Sequence, residues 1–314
     1  MSLFIKLFNT TAEYNTYTAD TENFILPNVS CAMDDLTSMH FNPFVETRVV
    51  AKFNVTDTSN PTQIASGTSS FTKIEIDGVE LPSVTTGHTF STIGEHTVKY
   101  TLADPTTIGE SAFEECRELT SIVIPNCVTF IDRWVFWYCF NLTSCTMSSA
   151  VTNIGNAAFG ICSGLTSIEI PSGMTSISND TFKGCSGLTS INIPSGVTSI
   201  GDYAFSGCSG AISVNIPNSV TSIGKDGFAG CYSLTSIEIP SGVTSIGDSA
   251  FYYCDSLTSI ISNATTAPTI QSGTFRNVKT GGTLRVPNGS SGYDVWMGTG
   301  DYYLGLYNWT KVEQ

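Results

Sequence analysis

The sequence predicts a mainly β protein in which a solenoid of about eight turns follows a small β-sandwich. Two patterns carry this prediction. An apolar motif recurs every 23 residues through the middle of the chain, and residues 45–103 alternate apolar and polar side chains as short strands do. The composition agrees, because 41% of the 314 residues are hydrophobic and only 13% are charged, which leaves ample chain for a buried core.

The first segment, residues 1–44, has no repeat and little periodicity. It contains LPNVSCAMDD and MHFNPF, and we expect it to serve as an amino-terminal attachment segment. Its opening apolar stretch is interrupted at Lys6 and Asn9, so we predict no secretory signal peptide. The chain has no apolar run long enough to span a bilayer, so we predict no membrane insertion.

Residues 45–103 form the second predicted domain. They contain VETRVVAKFNV, FTKIEIDGVEL and HTVKYTLA, three stretches that are typical of short strands. Ile74 and Ile76 alternate with polar neighbours, and Asp77 followed by glycine indicates a turn. We therefore predict a small Ig-like β-sandwich. The segment ADPTTIG leads directly into the first repeat, so we expect a tight junction without a flexible linker.

Seven repeat units make up the predicted solenoid, residues 104–263. Each unit has a phenylalanine, a cysteine three residues later and an isoleucine five residues earlier. The phenylalanine and the cysteine share one apolar face, where a free cysteine behaves as a small hydrophobic residue. The predicted structural core therefore comprises Phe113, Phe136, Phe159, Phe182, Phe205, Phe228, Phe251, Cys116, Cys139, Cys162, Cys185, Cys208, Cys231 and Cys254. Cys31, Cys127 and Cys145 lie outside this position, and their state stays open.

Each unit also carries signals for its local structure. The stretch around the phenylalanine is short, which predicts a brief helix or a 3₁₀-like turn, with Asp202 and Asp248 placed to cap its first amides. The sequence LTSIVIP then alternates as a short strand does, and Pro125 ends it. A single unit cannot bury its apolar face, so neighbouring units must stack. At about 4.8 Å per strand, about eight turns give a rod of roughly 35–40 Å.

Residues 264–314 are predicted to contain a decayed last repeat and an aromatic carboxy-terminal cap. The decayed unit begins at Ile270, keeps Phe275 and has Val278 in the cysteine position. A solenoid end exposes apolar side chains and needs a cap. The residues expected to supply it are Trp296, Tyr302, Tyr303, Tyr307 and Trp309.

The repeat pattern AFxxCxxLTSIxIPxxVTSIG resembles the BspA-like leucine-rich repeats of bacterial surface antigens. It runs from Ala158 to Ser178, with Met174 in place of valine and Ser178 in place of glycine. It runs again from Gly227 to Gly247, where Gly227 replaces the opening alanine. The resemblance covers about half of the chain. It implies a curved leucine-rich-repeat solenoid that is used for adhesion and protein recognition, and it implies no catalysis.

The flanks are similar to virion proteins of bacteriophages that infect gut bacteria. This second resemblance depends on the join LPNVS…HFNP, on the sandwich that follows and on the missing signal peptide. It implies a virion-associated fibre or decoration protein that attaches to other virion proteins through its amino-terminal region. The solenoid would then face a host-surface protein or glycan. Virion parts are usually symmetric, so we expect a homo-oligomer.

The alternative is a bacterial BspA-like cell-surface adhesin that binds host protein or glycan. Such an adhesin would be exported by a route that this sequence does not show, or its leader would have been trimmed. The two hypotheses share a non-enzymatic binding function and differ in location, which is either the phage particle or the bacterial cell surface.

The outward side chains of the predicted strands are the first candidate binding surface. A polar ladder on a rigid sheet is how solenoids present a binding face, although such residues can also serve only to keep the sheet soluble. One row consists of Ser121, Ser144, Ser167, Ser190, Ser213, Ser236 and Ser259. The more variable row beside it consists of Val123, Thr146, Glu169, Asn192, Asn215, Glu238 and Ile261.

An aromatic cluster in the second repeat is the other candidate binding surface. Its members are Trp134, Trp137, Tyr138 and Phe140, in positions that are polar in the first unit. Aromatic side chains off the core face need a partner. Docking against the amino-terminal sandwich or another subunit is one interpretation, and a stacking platform for sugar or an anchor for protein is the other. Tyr252 and Tyr253 repeat the feature near the opposite end.

Charge and motif content argue against several function classes. The net charge of −14 disfavours nucleic acid, whose phosphates need a cationic surface, and anionic lipid for the same reason. No CxxC pair provides zinc-ligand spacing. The chain has three histidines, His40, His88 and His96, which we expect on the surface or in turns. We predict no metal site and no cofactor.

The close carboxylate pairs of the first segment are the remaining candidates for an enzymatic site. Asp20 lies near Glu22, and Asp34 adjoins Asp35, yet neither pair belongs to a recognisable catalytic motif. Solvated loop carboxylates explain both pairs. We therefore predict that the protein is not an enzyme.

Overall fold

The computed structural model describes residues 48–271, 273–300 and 303–314. The predicted attachment segment lies outside the described residues, together with Cys31, His40, Tyr302 and the two carboxylate pairs. The described chain is mainly β, which confirms the predicted fold class. Its one α-helix, α1, is short and spans Tyr293–Trp296.

The described chain begins with an antiparallel unit of six strands. These are β1 (Arg48–Val55), β2 (Thr62–Gln63), β3 (Phe71–Ile76), β4 (Val79–Glu80), β5 (Gly87–His88) and β6 (Gly94–Leu102). The larger sheet has the order β1-β6-β3-β4, and β2 pairs with β5. Alternate side chains of β1 and β6 are buried, as expected for strands with one face on a core. The Ig-like assignment stays a prediction.

The solenoid contains two ladders of parallel strands. The first ladder comprises β8 (Leu119–Val123), β10 (Ser144–Thr146), β13 (Ser190–Asn192), β15 (Ser213–Asn215), β17 (Ser236–Ile239), β19 (Ser259–Ser262), β20 (Thr283–Val286) and β21 (Thr310–Glu313). The second ladder comprises two paired groups, the first with β7 (Thr107–Ile108), β9 (Phe130–Ile131) and β11 (Asn153–Ile154), and the second with β12 (Ser176–Ile177), β14 (Ser199–Ile200), β16 (Ser222–Ile223) and β18 (Ser245–Ile246). Each repeat unit forms one turn of the solenoid, which is called a coil below. Within the seven regular coils, paired residues are one 23-residue period apart, as in the pairing of Ser199 with Ser222.

The amino-terminal unit joins the solenoid through backbone pairing. Strand β1 runs antiparallel to β8, with Ala51 opposite Ile122, so one sheet continues in the order β10-β8-β1-β6-β3-β4. Thr120 Oγ1 adds a hydrogen bond to the carbonyl of Lys52 at 3.1 Å. This pairing makes the junction tight. The domain boundaries drawn at 44/45, 103/104 and 263/264 stay predictions.

The stretch around each phenylalanine is a series of turns, where the sequence predicted a brief helix or a 3₁₀-like turn. In the first unit, Cys116 N–H donates to the Phe113 carbonyl at 3.1 Å, one of several bonds that span three residues. Ser111 and Glu115 have positive φ, which interrupts any helix. The amides of Phe113 and Glu115 are thereby turned toward the next coil and donate to its carbonyls.

The predicted helix caps act between coils. Asp202 Oδ1 accepts the N–H of Lys225 at 2.7 Å, and Asp248 Oδ1 accepts the N–H of Gly273 at 3.2 Å. Their own stretches contain no helix to cap, because left-handed residues such as Tyr203 and Ser249 break it. The carboxylates therefore stabilise the stacking of neighbouring coils.

The core of the solenoid is a stack of phenylalanine rings. Eight rings from Phe113 to Phe275 follow one another with centroid distances of 5.0–5.7 Å. All eight are completely buried, as are the seven cysteines that share their face. Successive rings are 23 residues apart except at the last step, from Phe251 to Phe275, which takes 24 residues, so each coil returns its ring to the same place.

The carboxy-terminal end is covered by aromatic side chains. Trp296 is fully buried against Phe275, with a centroid distance of 5.2 Å, and its Nε1 donates to the Pro268 carbonyl. Trp309 lies over Gly282, where a side chain would overlap its indole ring. Tyr293, which the sequence analysis missed, is buried and hydrogen-bonds Ser262 at 2.6 Å. Two other expected cap residues, Tyr303 and Tyr307, are half-buried.

Candidate binding surfaces

The outward rows of the first ladder are held in register by parallel pairing. Ser121 pairs with Ser144, and Val123 pairs with Thr146. The same register recurs in the pairs Ser190–Ser213, Asn192–Asn215, Ser236–Ser259 and Glu238–Ile261. Val123, Thr146, Glu169, Asn192, Asn215 and Glu238 are exposed, Ile261 is half-buried, and the serine row is exposed or half-buried. Strand geometry thus presents a variable row of side chains to the solvent.

The first ladder is interrupted at two places. Residues 167–170 belong to no strand, although their coil continues the solenoid between β10 and β13. Strands β15 and β17 lie next to each other without ladder pairing. The structure therefore places Ser167 and Glu169 on this face but does not bring them into the paired sheet.

A shallow depression lies at each interruption. The first, called the Glu169 depression, has a volume of about 420 Å³ and is lined by Ser167, Ile168, Glu169, Ile170, Asn192, Ile193 and Pro194. The second, called the Glu238 depression, has a volume of about 340 Å³ and is lined by Ser213, Val214, Asn215, Ile216, Pro217, Asn218, Glu238 and Pro240. The polar residues were predicted from the sequence but the depressions were not, because interruption of a ladder has no signature in a single repeat.

Part of the aromatic cluster packs against side chains and backbone of the solenoid itself. Trp137 packs over Gly160 of the next coil, where an added Cβ would overlap the indole. Arg133 lies 4.8 Å from the ring centroid of Trp134, a cation–π contact, and Tyr138 meets Trp137 edge to face. Trp134 and Tyr138 remain 39% and 37% exposed.

Phe140, the fourth member of the cluster, is half-buried, with Arg117 at 5.7 Å from its ring centroid. Contacts of the amino-terminal unit with the solenoid turns occur one coil earlier, where Gln63 and Ser66 bond to the Glu114 carbonyl. The second coil thus keeps an exposed aromatic edge beside this contact.

A second aromatic cluster lies toward the other end. Tyr252 and Tyr253 are in contact, with ring centroids 4.2 Å apart, and Tyr232 lies 6.4 Å from Tyr253. Tyr232 was not among the residues predicted from the sequence. The 23-residue period would have identified it, because Tyr232 occupies the position of Phe140 in a later repeat.

His96 is buried on strand β6, which corrects the expectation of a surface or turn histidine. It is only 8% exposed because the alternation of β6 points it inward, where its ring lies 4.4 Å from that of Phe90. Nδ1 lies 2.6 Å from Asp77 Oδ2, and Nε2 lies 2.9 Å from the Thr92 carbonyl. Burial lowers the pKa of His96, but these hydrogen bonds outweigh burial and raise it. Both ring nitrogens are engaged, so His96 is placed to be a structural cation. His88 is half-buried on β5.

The nine cysteines of the described residues are all buried, and the seven at the repeat position together with Cys145 carry free thiols. Burial raises the pKa of Cys185 and of Cys231 to about 12, and it raises the pKa of Cys145 as well. A thiolate is the reactive form of cysteine, so these thiols are poor nucleophiles. Cys145 occupies the inward position of β10, and Cys127 is also buried.

Within the described ranges, no group of three histidine, cysteine or carboxylate side chains is arranged to hold a metal ion. Across those ranges, no helix is both long enough and apolar enough to cross a bilayer.

Comparison with known proteins agrees with this geometry. The family model of the BspA type leucine rich repeat region matches six copies, over residues 97–212 and 175–292. No curated protein matches the chain.

Solved structures with similarity include a leucine rich cell surface protein from Faecalibacterium prausnitzii A2-165. It is 30% identical over 61% of this chain and 60% of its own, with a TM-score of 0.48. A leucine-rich repeat protein from Bacteroides ovatus ATCC 8483 is 25% identical over 63% of this chain and 61% of its own, with a TM-score of 0.43. The chain thus spans about three fifths of the length of these two proteins. Because the matched repeats together extend over residues 97–292, more than half of its length, this chain belongs to the BspA-type leucine-rich repeat family.

Proposed function

We propose that the chain is a non-enzymatic binding protein whose ligand-binding face is the first ladder of the solenoid. The observation that carries the proposal is the register of the outward rows. Parallel pairing holds exposed side chains at fixed positions, as in the pair Asn192–Asn215, on a surface supported by the phenylalanine stack. A preordered surface of this kind loses little conformational entropy when it binds.

The aromatic edge at Trp134 and Tyr138 is a secondary contact in this proposal. Both residues keep more than a third of their surface exposed, beside the join with the amino-terminal unit. Tryptophan and tyrosine at such a site suit either a glycan or a protein partner.

A catalytic function has less support. The Asp77–His96 pair resembles part of a catalytic triad, but the Thr92 carbonyl engages the second ring nitrogen. The buried thiols have raised pKa values, which suppresses the nucleophilic form. We therefore propose that the protein acts by binding alone.

The place in which it binds has two candidates. We propose a fibre or decoration protein of a bacteriophage particle, attached to other virion proteins through its amino-terminal region as a homo-oligomer. Membership of the BspA-type family favours a second candidate, a bacterial cell-surface adhesin for host protein or glycan. The two share the same binding face.

Two measurements test the proposal. For the face, the purified chain is assayed for adhesion to intact candidate host cells, alongside an Asn192→Trp, Asn215→Trp double variant and an Asp255→Trp control at an exposed turn residue. Loss of adhesion in the double variant alone is expected, and unchanged adhesion contradicts the assignment of the face.

For the location, a lysate of the producing culture is sedimented through a density gradient and probed with an antibody to the solenoid. Signal that bands with phage particles supports the virion candidate. Signal with cell envelopes and none with particles contradicts it and leaves the adhesin.

A further inference from the structure

The Glu169 and Glu238 depressions are lined by the same kinds of side chain, and the order of the glutamate and the asparagine along the solenoid is reversed between them. Each lies between two coils of the first ladder, and each is lined by one glutamate, one or two asparagines and one or two prolines. In the first, Glu169 precedes Asn192 along the solenoid, whereas in the second, Asn215 precedes Glu238. The face therefore carries two outer carboxylates and two inner amides.

Each depression combines an apolar wall with polar acceptors. Ile170 and Pro194 lie beside Glu169 in one, and Ile216 and Pro240 lie with Glu238 in the other. A side chain with an apolar stem and a cationic head fits such a site, because the stem can cover apolar surface while the head meets the carboxylate. Lysine and arginine have this form.

The two carboxylates lack a cationic partner in the described part of the chain. Glu238 accepts a hydrogen bond from Asn263 Nδ2 at 2.7 Å, which is a neutral donor. Glu169 is exposed, and no basic side chain of the described residues forms an ion pair with it. The first basic residue on the same row is Arg285, two coils beyond Glu238. With a chain net charge of −14, charge complementarity favours a basic ligand.

The distance between the two carboxylates matches the distance between side chains on one side of an extended peptide. Glu169 and Glu238 are three 23-residue periods apart, which corresponds to about 14 Å at the 4.8 Å spacing of paired strands and to about 16 Å at the 5.3–5.6 Å separations of the phenylalanine rings in these coils. An extended peptide rises about 3.3–3.4 Å per residue, so residues i and i+4 are also about 13–14 Å apart. Because side chains alternate, residues i and i+4 point to the same side, whereas i and i+3 do not.

From these observations we propose that the first ladder binds an extended peptide segment with two basic residues at i and i+4, one in each depression. The peptide lies along the solenoid axis, and its basic side chains reach Glu169 and Glu238. Asn192 and Asn215 lie between them and offer amide groups to the peptide backbone. This inference rests on the proposed binding function and specifies the partner of the same face.

The test uses two synthetic peptides of identical composition, acetylated and amidated. TTKTVTKTT has its lysines at i and i+4, and TTKTVKTTT has them at i and i+3. Binding to the full chain is measured by fluorescence anisotropy of the labelled peptides at low salt, where charge pairs are least screened. The variants are Glu169→Gln and Glu238→Gln, with Asp255→Asn as a control that removes one exposed carboxylate elsewhere.

We expect the i, i+4 peptide to bind at least about threefold more tightly than the i, i+3 peptide. Each glutamine variant is expected to weaken it by about two- to fivefold, the range of a solvent-exposed ion pair. Asp255→Asn leaves the affinity unchanged. Urea unfolding curves of the variants that match the parent confirm that any loss is local.

Equal affinity for the two peptides contradicts the proposed spacing. If Asp255→Asn weakens peptide binding as much as the glutamine variants do, the effect comes from net charge alone, and the proposal is overturned. If neither peptide binds while an immobilised glycan binds and the Asn192→Trp, Asn215→Trp variant abolishes that binding, the basic peptide is wrong and the binding face stands. If peptides, glycans and host cells all fail to bind, the proposed function falls as well.

Discussion

The sulfhydryl of Cys162 donates a hydrogen bond to the carbonyl oxygen of Phe136 in the preceding coil, with an Sγ–O distance of 3.1 Å. The same carbonyl accepts the N–H of Cys139 in its own coil at 3.1 Å. Six such sulfur contacts recur along the solenoid, at 3.0–3.6 Å. The cysteine position is therefore a small apolar volume that also donates a weak hydrogen bond between coils.

The burial of these thiols predicts their reactivity. Because the seven cysteines of the repeat position and Cys145 are buried and burial raises the pKa of thiols such as Cys185, an aromatic disulfide reagent at about pH 8 should leave these eight unmodified in the native protein. They should react once denaturant unfolds the chain. Mass spectrometry after digestion maps the labelled residues. Rapid labelling of any cysteine of the repeat in the native protein would contradict this prediction.

Core and surface positions of the solenoid should differ sharply in stability cost. Phe182 is fully buried in the ring stack, so Phe182→Ala is expected to lower the free energy of unfolding by about 3–5 kcal/mol. Asn192 is exposed on the first ladder, and Asn192→Ala should cost less than about 0.5 kcal/mol. Chemical denaturation measures both. Equal costs would mean that the inward and outward faces are assigned wrongly.

The contact of Trp137 with Gly160 predicts a coupled pair. A methyl group at Gly160 overlaps the indole, so Gly160→Ala is expected to destabilise the protein by about 1–3 kcal/mol. In a Trp137→Ala background the same change should cost much less, because the clashing ring is gone. A double-mutant cycle by urea unfolding measures the coupling. Additive costs would exclude the contact as the cause.

The Asp77–His96 pair predicts a pH dependence of stability. The raised pKa of His96 means that its contribution is complete below the unfolded value of about 6.5 and is lost as the pH rises through the folded value. Burial raises the pKa of Asp77, but hydrogen bonds with His96 and Thr97 lower it further. This lowered pKa means that the carboxylate contributes above the unfolded value of about 3.9 and that the contribution is lost as the pH falls through the folded value.

The pair should therefore stabilise most between about pH 4 and pH 6.5. Asp77→Asn removes the charge and suits the positive φ of the turn. The difference in unfolding free energy between the parent and this variant should be larger at about pH 5.5 than at about pH 8.5. A difference that is equal at the two pH values would show that His96 is not held as a cation.

The repeat period determined most of the fold. A phenylalanine and a cysteine at fixed positions of successive units, such as Phe205 and Cys208, can be buried together only if coils stack in register. The contacts between coils were not predictable in detail. Thr221 Oγ1 bonds the Thr198 carbonyl at 3.1 Å, and Asp202 bonds the next coil where a helix cap was expected. A single unit does not show which of its polar groups will face a neighbour.

The candidate binding surfaces were likewise predictable in part from the sequence. Alternation within LTSIxIP was enough to place Asn192 and Glu238 on the outward face of the strands. The aromatic cluster was also evident, but its contact with Gly160 required the coil that follows. His96 was assigned wrongly, although its place in the alternation of β6, in phase with Val98 and Tyr100, indicates an inward side chain. Only its contact with Asp77 required the tertiary structure.

One tetrapeptide occurs twice in the chain with different secondary structure. The sequence Ser-Ile-Glu-Ile occurs at residues 167–170 and again at 236–239, and by itself it determined which side chains face outward. Only the second copy is a strand, β17, because its backbone pairs with β19 in a ladder that continues to the carboxy-terminal β21. The first copy has no paired neighbour, and a depression lies there. A strand needs hydrogen-bond partners on adjacent coils, so identical residues form a strand only where the neighbouring coil comes within reach.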